Sequence, residues 1–341
     1  MSAAAQTVDT DRLGRYLEQH IEGFKGPVQA EKFAGGQSNP TFLLKAASGK
    51  YVLRRKPPGE LLKSAHAVDR EFRVISALAG SDVPVAKAYH LCTDEAVIGS
   101  WFYVMSFVEG RIFWDPALPE LDNAGRRAIY EEMNRVLAAI HSVDLAARGL
   151  EDFGRPGNYY ARQLDRWIKQ YRLTETERIE AMEELIAWLP DHMPADDGRV
   201  SLIHGDYRLD NMIFHPTEPR ILAVVDWELS TLGHPISDLA YQCMQWRLSN
   251  NAVIRGLGGI DRAALGIPAE AEYVASYVKR MNWGALEDWD FYLAFSFFRL
   301  AAIVQGVRKR SLDGQASSDK AMEVGNLAGP LAELGYEVIK G

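Results

Sequence analysis

The chain has 341 residues, of which 47% are hydrophobic and 25% are charged, and its formal net charge is −8. This balance is typical of a soluble globular protein, and the length exceeds what one ordinary core holds, so we expect two lobes or domains. The acidic total, without any basic run, argues against nucleic acid as the main partner. An anionic ligand therefore needs locally placed arginine, lysine, metal or backbone N–H groups.

The two cysteines, Cys92 and Cys243, are far apart in apolar surroundings, which predicts reduced core residues more than a disulfide. The first ten residues lack the basic and apolar regions of a secretory signal. No apolar run reaches the roughly 20 residues of a membrane helix, and the longest candidate, residues 291–305, is interrupted by Arg299. We therefore expect a cytoplasmic protein without a membrane partner, and the sequence leaves open whether it is a monomer or a homodimer.

The N-terminal part reads mainly as strands. Hydrophobic alternation between turn residues predicts five strands before residue 110, two of which form a hairpin around Ser48 and Gly49. The predicted elements are a helix at 9–21, strands at 28–33, 41–46 and 51–55, a helix at 67–78, and strands at 85–91 and 101–107.

The predicted secondary structure becomes mainly helical after Gly110, because hydrophobic residues then recur at helix spacing. Three short apolar runs interrupt the helices and read as strands. The predicted elements are a helix through 129–140, helices at 158–171 and 175–189, strands at 201–203, 212–214 and 221–225, and helices from 236 to the end, broken at 256–259 and around Gly314. A β-rich part thus meets a helical part near residues 106–110, and a cleft between two such lobes is a natural ligand site.

Two segments carry the strongest chemical signal. Residues 202–214 read LIHGDYRLDNMIF, in which Asp206 follows an apolar strand and Asn211 comes five residues later. Residues 221–228 read ILAVVDWE, in which Asp226 ends another apolar strand. Phosphoryl transfer depends on positioning and charge neutralisation, and Mg²⁺ takes hard oxygen ligands while keeping several waters. The pattern predicts that Asp206 accepts a hydroxyl proton and that Asn211 and Asp226 hold Mg²⁺, at the ends of adjacent short strands.

The ordered set resembles the aminoglycoside phosphotransferase family of the protein-kinase-like superfamily. Residues 204–206 (HGD) stand where protein kinases have His-Arg-Asp, and residues 226–228 (DWE) stand where they have Asp-Phe-Gly. Residues 233–235 (GHP) and 238–240 (DLA) look like a further segment of the family, and the resemblance covers residues 33–310. It implies an α+β, protein-kinase-like bilobal fold with a small antiparallel β N-lobe and a larger, mainly α C-lobe.

The resemblance also implies how the two lobes divide the work. Residues 1–106 would form the nucleotide-binding lobe, and residues 107–341 would carry the catalytic loop, the metal site and the acceptor pocket. ATP and Mg²⁺ are the implied cofactors, and the implied partner is a small molecule whose hydroxyl accepts the phosphoryl group. His204 and Asp238 are implied to support the catalytic loop rather than to react.

The resemblance further implies a set of nucleotide-binding residues in the N-lobe. They are Gly36, Ser38, Asn39, Arg54, Glu71, Met105 and Phe107. The turn at residues 35–39 (GGQSN) would cover the phosphates, because glycine lets the backbone approach closely and N–H groups bind anions. Met105 and Phe107 belong to the hinge whose backbone would bind adenine.

The residue predicted to bind phosphate differs from the one that the family usually carries. Most relatives carry lysine on the third strand, whereas this chain offers Arg54, Arg55 and Lys56. Val52 and Arg54 share a strand face, so Arg54 is the predicted cation, and its guanidinium can clamp phosphate at two points. Glu71 lies on the apolar stripe of the following helix, where a carboxylate needs a cation, so an Arg54–Glu71 pair is predicted.

Plainer interpretations stand beside these. Asp206 and Asn211 alone would read as turn residues, and Asp226 as a solvated strand end; only the ordered set outweighs them. Arg208 reads as a surface or substrate-side group. For Glu228 two interpretations are open, a salt bridge or a place in the outer shell of the metal. Arg299 lies in an apolar helix and must be paired, with a carboxylate of the C-terminal lobe as the favoured partner and a substrate anion as the alternative.

A closer resemblance bears on the acceptor. Residues 35–41 (GGQSNPT), 53–59 (LRRKPPG) and 204–211 (HGDYRLDN) look like the kinase-like domain fused to some eukaryotic acyl-CoA dehydrogenases. It implies a hydroxyacid or hydroxyacyl thioester, whereas an aminoglycoside or other amino-alcohol or sugar kinase is the alternative. A non-catalytic nucleotide-binding module is a rival of another class, although all three catalytic polar residues are present. A protein kinase would need an Ala-Pro-Glu segment, and a hydrolase would need a placed nucleophile.

Overall fold

A computed structural model describes residues 8–33, 39–57, 67–314 and 320–341. The chain divides into two compact units. The first comprises Met1–Arg111, Arg148–Leu150 and Met212–Ser230, and the second comprises Ile112–Ala147, Glu151–Asn211 and Thr231–Gly341. Residues 212–230 therefore cluster with the N-terminal strands, although helices surround them in the sequence.

The elements follow the predicted order with small shifts at their ends. The strands are β1 (Gln29–Lys32), β2 (Thr41–Ala46), β3 (Gly49–Arg55), β4 (Ala88–Cys92), β5 (Phe102–Ser106), β6 (Ser201–Ile203), β7 (Met212–Phe214), β8 (Ile221–Val224) and β9 (Thr231–Gly233). The helices are α1 (Thr10–His20), α2 (Val68–Ala77), α3 (Asn123–His141), α4 (Tyr159–Thr174), α5 (Glu180–Asp191), α6 (Ile236–Cys243), α7 (Glu270–Arg280), α8 (Trp289–Leu312), α9 (Ala321–Gly325) and α10 (Ala328–Lys340).

The first unit is built on an antiparallel sheet with the strand order β1-β2-β3-β5-β4. Alternation along β2 buries Phe42 and Leu44, which join a core with Leu13 and Leu17 of α1. Leu13 and Leu17 are four residues apart and so share one helix face. The predicted hairpin is present, since β2 and β3 pair from Ala46–Gly49 outwards.

A second hairpin completes the first unit. In it β7 pairs with β8, and Arg111 bridges to Phe214. The backbone at Gly110 lies directly against the backbone of β7. A Cβ at this position would lie 2.2 Å from the carbonyl oxygen of Phe214. Only glycine therefore fits at this approach.

The strands around Asp206 and Asp226 follow the prediction in part. The sequence predicts that the strands before Asp206, after Asn211 and before Asp226 are adjacent. The last two are, since β7 pairs with β8, whereas β6 pairs with β9 instead. The sequence does not predict β9, because its residues Thr231, Leu232 and Gly233 include only one apolar side chain and so form no apolar run.

The second unit is mainly helical, and α8 packs against α4, α6, α9 and α10. In the part of the chain that the structure describes, α8 is the one helix long and apolar enough to cross a membrane, and 72% of its most apolar window is buried inside the protein. Its buried side chains include Phe291, Phe295 and Phe298. This burial is what a core helix shows.

Two predicted helix limits are wrong. The helix expected from residue 175 begins at Glu180, because Gln305 binds the carbonyl oxygen of Thr174 and the hydroxyl of Thr176 and so holds this segment outside a helix. The break expected at 256–259 extends from the end of the turn after α6 to the start of α7. There a Cβ at Gly256 would lie 2.3 Å from the carbonyl oxygen of Leu248.

Both cysteines are free and buried, as predicted. Cys92 ends β4 in the first unit, and Cys243 ends α6 in the second. Burial raises the pKa of the Cys243 thiol well above its usual range, so this residue is a protonated core side chain.

Candidate active site

Three carboxylates converge on Arg54 in the first unit. Its Nε lies 2.9 Å from Glu71 Oε2, and its Nη2 lies 2.5 Å from Asp226 Oδ1 and 3.2 Å from Glu228 Oε2. The Arg54 side chain is 10% exposed and that of Glu71 is 1% exposed. The predicted Arg54–Glu71 pair is therefore present, and Glu228 makes the salt bridge that was one of its two interpretations.

Two further side chains complete the hydrogen bonding of Glu71. Asn39 donates its Nδ2–H to Glu71 Oε1 at 2.8 Å, and Tyr103 donates its hydroxyl to Glu71 Oε2 at 3.0 Å. Tyr103 lies opposite Arg54 in the register of β3 and β5, so strand pairing brings it to the cluster. Sequence reasoning missed it, because cross-strand register between distant segments leaves no local pattern.

The side chains of this cluster have shifted pKa values. Burial would lower the pKa of Arg54, but Glu71 and Asp226 outweigh this effect and raise it, so the guanidinium is charged. Burial raises the pKa of Glu71 to about 7, against the opposing pull of Arg54. The cluster thus combines a charged guanidinium, which can bind an anion, with carboxylate oxygens of the kind that Mg²⁺ prefers.

Asp226 has a backbone conformation that is uncommon for a residue with a side chain. Its φ is 66° and its ψ is 55°, in the left-handed region. Aspartate tolerates this region better than most residues, and such positions are often functional. The indole of Trp227 donates to the carbonyl oxygen of Val224 at 3.0 Å and so fixes the turn behind Asp226.

The loop after β6 in the second unit is anchored by Asp238 of α6. Its carboxylate accepts from the backbone N–H of His204 at 2.6 Å and of Gly205 at 2.9 Å. Burial opposes ionisation, yet the hydrogen bond from His141 and these donors hold the pKa of Asp238 below its usual value. His204 is buried, and its Nδ1 accepts from the backbone N–H of Asp206 at 3.2 Å. Both residues make the bracing contacts that were predicted.

Asp206 is held on two sides. Its Oδ2 accepts from Asn211 Nδ2 at 3.0 Å, and the same amide group donates to the Asp206 carbonyl oxygen at 2.9 Å. Its Oδ1 accepts from the hydroxyl of Tyr241 at 2.7 Å. Since Asn211 uses its NH₂ group here, its amide oxygen stays available as a hard ligand. From the sequence alone, Tyr241 reads only as a core or pocket-wall residue.

The two remaining arginines of the prediction behave differently. Arg208 forms a bidentate ion pair with Asp210, with Nε–Oδ1 at 2.5 Å and Nη2–Oδ2 at 2.6 Å. The ion pair favoured for Arg299 is wrong, because the described residues place no carboxylate against it. Arg299 instead donates to the carbonyl oxygen of Gly205 at 3.1 Å and packs 5.7 Å from the ring centre of Tyr241.

An open cavity of about 450 Å³ lies in the second unit beside Arg208 and Tyr241. Its apolar wall includes Trp114, Leu248 and Ile254. The last two come from the non-helical segment after α6, which sequence reasoning recognised only in part. Trp114 is 72% exposed, and no sequence signal singled it out.

The charged groups at this cavity are paired. Arg208 is bound to Asp210, and Arg255 lies 3.0 Å from Asp115. Of these four residues, Arg208, Asp210 and Arg255 line the cavity itself. The lining therefore carries no excess of negative charge.

The other predicted residues are placed as follows. Met105 lies in β5 between β3 and β4, and Phe107 follows that strand with the ammonium group of Lys50 5.3 Å from its ring centre. Gly36 and Ser38 lie outside the described residues. Among the described residues, no group of three or more histidine, cysteine, aspartate or glutamate side chains has the spacing of a metal site. Mg²⁺ needs few protein ligands, and the oxygens of Asn211 and Asp226 have the right chemistry.

A sequence profile described as the phosphotransferase enzyme family matches residues 29–273. The chain belongs to this family. Among curated relatives, acyl-CoA dehydrogenase family member 10 of Mus musculus is 50% identical over 94% of this chain, and a probable acyl-CoA dehydrogenase of Arabidopsis thaliana is 46% identical over 98%. The chain spans only 30% and 43% of the lengths of these two relatives.

Solved structures agree with the family assignment. A crystal structure from Ralstonia eutropha, assigned provisionally to the aminoglycoside phosphotransferases, is 54% identical, with a TM-score of 0.90 over 98% of this chain and 99% of that one. The aminoglycoside phosphotransferase APH(4)-Ia, in ternary complex with ADP and hygromycin B, is 13% identical, with a TM-score of 0.63 over 96% and 99%. The second likeness shows the fold alone. The predicted family resemblance and the α+β fold are confirmed.

Proposed function

We propose that this phosphotransferase moves the γ-phosphoryl group of ATP to a hydroxyl of a small organic molecule. The observation that carries the proposal is the Asp206 carboxylate, which is held by Asn211 and by Tyr241. Tyr241 in turn lines a cavity of about 450 Å³, so the carboxylate is one hydrogen bond away from the cavity wall. A carboxylate fixed in this way can orient a hydroxyl and take its proton.

The step balances as an in-line displacement. The acceptor oxygen forms a bond to the γ-phosphorus as its proton passes to Asp206, and the bond from that phosphorus to the β–γ bridging oxygen breaks, which releases ADP. Little covalent chemistry is required of the protein, so the rate depends mainly on orientation of the acceptor and on neutralisation of phosphate charge. The Asp238 anchor beneath the loop supports such orientation, since it fixes the backbone on which Asp206 stands.

Asn211 and Asp226 would hold Mg²⁺, which when bound neutralises phosphate charge. Asn211 donates through its amide nitrogen to Asp206, which leaves its oxygen as a hard ligand, and Asp226 supplies a carboxylate; both support this assignment. Arg54, kept in place by Glu71, would bind phosphate. Gly36, Ser38 and Asn39 would cover the phosphates, and Met105 and Phe107 would lie at the adenine. The ADP complex of APH(4)-Ia supports a nucleotide in this fold.

For the acceptor we propose a hydroxyacid or a hydroxyacyl thioester rather than an aminoglycoside. Aminoglycosides are polycations and need uncompensated carboxylates, whereas Asp210 is paired with Arg208 and Asp115 with Arg255. The lining combines an apolar wall with two arginines and one aspartate, so its charge is positive on balance, which suits an acceptor that has a hydrocarbon part and an anionic or carbonyl group. The names of the curated relatives, acyl-CoA dehydrogenases, support acyl chemistry.

The test is an ATP-consumption screen over hydroxyacids, their CoA thioesters, aminoglycosides and amino alcohols, with wild type and Asp206→Ala. We expect turnover with a hydroxyacid or thioester and a loss of about 10²–10⁴-fold in kcat for the variant, the size of a general-base contribution. Asp165→Ala is the matched control, because that carboxylate is 63% exposed and forms an ion pair with Lys169 on the same helix. Activity on aminoglycosides alone would contradict the acceptor class, and an undiminished Asp206→Ala rate would contradict the mechanism.

A further inference from the structure

One face of α6 holds the catalytic loop at two points. Asp238 and Tyr241 are three residues apart, so both side chains project from the same side of the helix. Asp238 binds the backbone N–H groups of His204 and Gly205, and Tyr241 binds the side chain of Asp206. The first contact fixes the loop backbone, but it leaves the torsions of the Asp206 side chain free.

The hydroxyl of Tyr241 restrains those torsions. It donates to Oδ1 of Asp206 at 2.7 Å while Asn211 donates to Oδ2 at 3.0 Å, so both oxygens are fixed and the carboxylate plane cannot turn without losing a donor. Each oxygen keeps a second lone pair for a further partner. Burial and the neighbouring carboxylate raise the pKa of Tyr241, so the phenol remains a donor at any pH of interest.

The ring of Tyr241 is also held in place. The guanidinium of Arg299 lies 5.7 Å from the ring centre and donates to the carbonyl oxygen of Gly205 at 3.1 Å. Arg299 thus joins the ring to the loop that carries Asp206. The same ring forms part of the cavity wall. Tyr241 therefore touches both the proposed base and the space proposed for the acceptor.

We propose that Tyr241 is a positioning residue, whose hydroxyl holds the Asp206 carboxylate at the angle that meets the acceptor hydroxyl. This inference rests on the proposed function and assigns no proton transfer to Tyr241 itself. A misplacement of about 1 Å at a reacting group can cost on the order of 10²-fold in rate, so a single fixed torsion matters. The ring only forms a wall, so loss of the hydroxyl alone should leave acceptor binding intact.

The experiment compares Tyr241→Phe with wild type in steady-state kinetics, using the acceptor found in the ATP-consumption screen. We expect kcat to fall about 10–100-fold, with the KM values for ATP and acceptor within about twofold. The control is Tyr273→Phe, which removes another buried phenol that donates to a side-chain oxygen, that of Gln242, at 3.1 Å. We expect its kcat within about twofold of wild type.

An unchanged kcat in Tyr241→Phe, or an equal loss in Tyr273→Phe, would overturn the inference. A crystal structure of Tyr241→Phe provides a readout that needs no substrate. We expect the Asp206 side chain to leave its place or to split between two orientations. A carboxylate that stays in place and bound to Asn211 would overturn the positioning role, whether or not the screen finds an acceptor. A screen that finds no acceptor would count against the proposed function alone.

Discussion

Replacement of Asp238 by asparagine is the most informative single change in the second unit. Asp238 is 1% exposed, accepts from two backbone N–H groups of the loop after β6, and lies 3.3 Å from His141 Nε2. Asparagine has the same shape but carries no charge and offers one oxygen instead of two. One of the two N–H groups must therefore face an NH₂ group and lose its acceptor.

The expected cost follows from these contacts. A hydrogen bond to a charged group contributes about 1.5–3 kcal/mol, and a buried donor left without a partner costs about 1–3 kcal/mol. Only one of the two bonds is lost outright, and the other weakens with the charge. We therefore expect Asp238→Asn to lower the free energy of unfolding by about 2–4 kcal/mol at neutral pH.

The effect should depend on pH in a defined direction. The pKa of Asp238 is lowered in the folded protein, and the unfolded value for aspartate is about 3.9. The carboxylate therefore contributes stability that is fully present above about pH 4 to 5 and is lost as the pH falls through the folded pKa. Since asparagine does not titrate, the advantage of wild type over Asp238→Asn should shrink as the pH falls below about 4.

Urea denaturation followed by circular dichroism, at several pH values between 3 and 7, measures both quantities. Asp165→Asn is the control, because Asp165 is exposed and lies on the surface of α4. We expect its urea midpoint to match wild type. A loss below about 0.5 kcal/mol for Asp238→Asn at pH 7, or a difference from wild type that stays constant down to pH 3, would refute the reasoning.

Two further predictions concern ligands. Asn211→Ala should raise the Mg²⁺ concentration for half-maximal activity at least about tenfold, because it removes a hard oxygen ligand. The control, Asn326→Ala at an exposed position, should leave that concentration unchanged. Equal Mg²⁺ titrations for the two variants would show that Asn211 does not bind the metal. Arg255→Ala should raise the KM of an anionic acceptor about tenfold, or about 1.4 kcal/mol, and leave the KM of ATP unchanged, with Arg178→Ala as the surface control. An unchanged acceptor KM would show that Arg255 does not contact the acceptor.

Much of this protein is readable from its sequence. Local periodicity places most helices and strands, because i, i+4 and alternating patterns report burial directly. Glu71 on an apolar helix stripe demands a cation, and the strand face of Arg54 indicates which one; the 2.9 Å contact agrees. The order of Asp206, Asn211 and Asp226, carried on short apolar strands, is sufficient to indicate the phosphotransferase family, which the family profile bears out.

Only the tertiary structure decides how distant segments meet. The partner of β6 is β9, Tyr103 reaches Glu71 through the register of β3 and β5, and Arg299 binds a loop carbonyl instead of a carboxylate. Such contacts depend on the packing of whole elements, and no local pattern encodes them. The sequence by itself therefore indicated Asp206 as the candidate base, because its motif is local, whereas the packing of α6 decided that Tyr241, 35 residues away along the chain, holds that carboxylate.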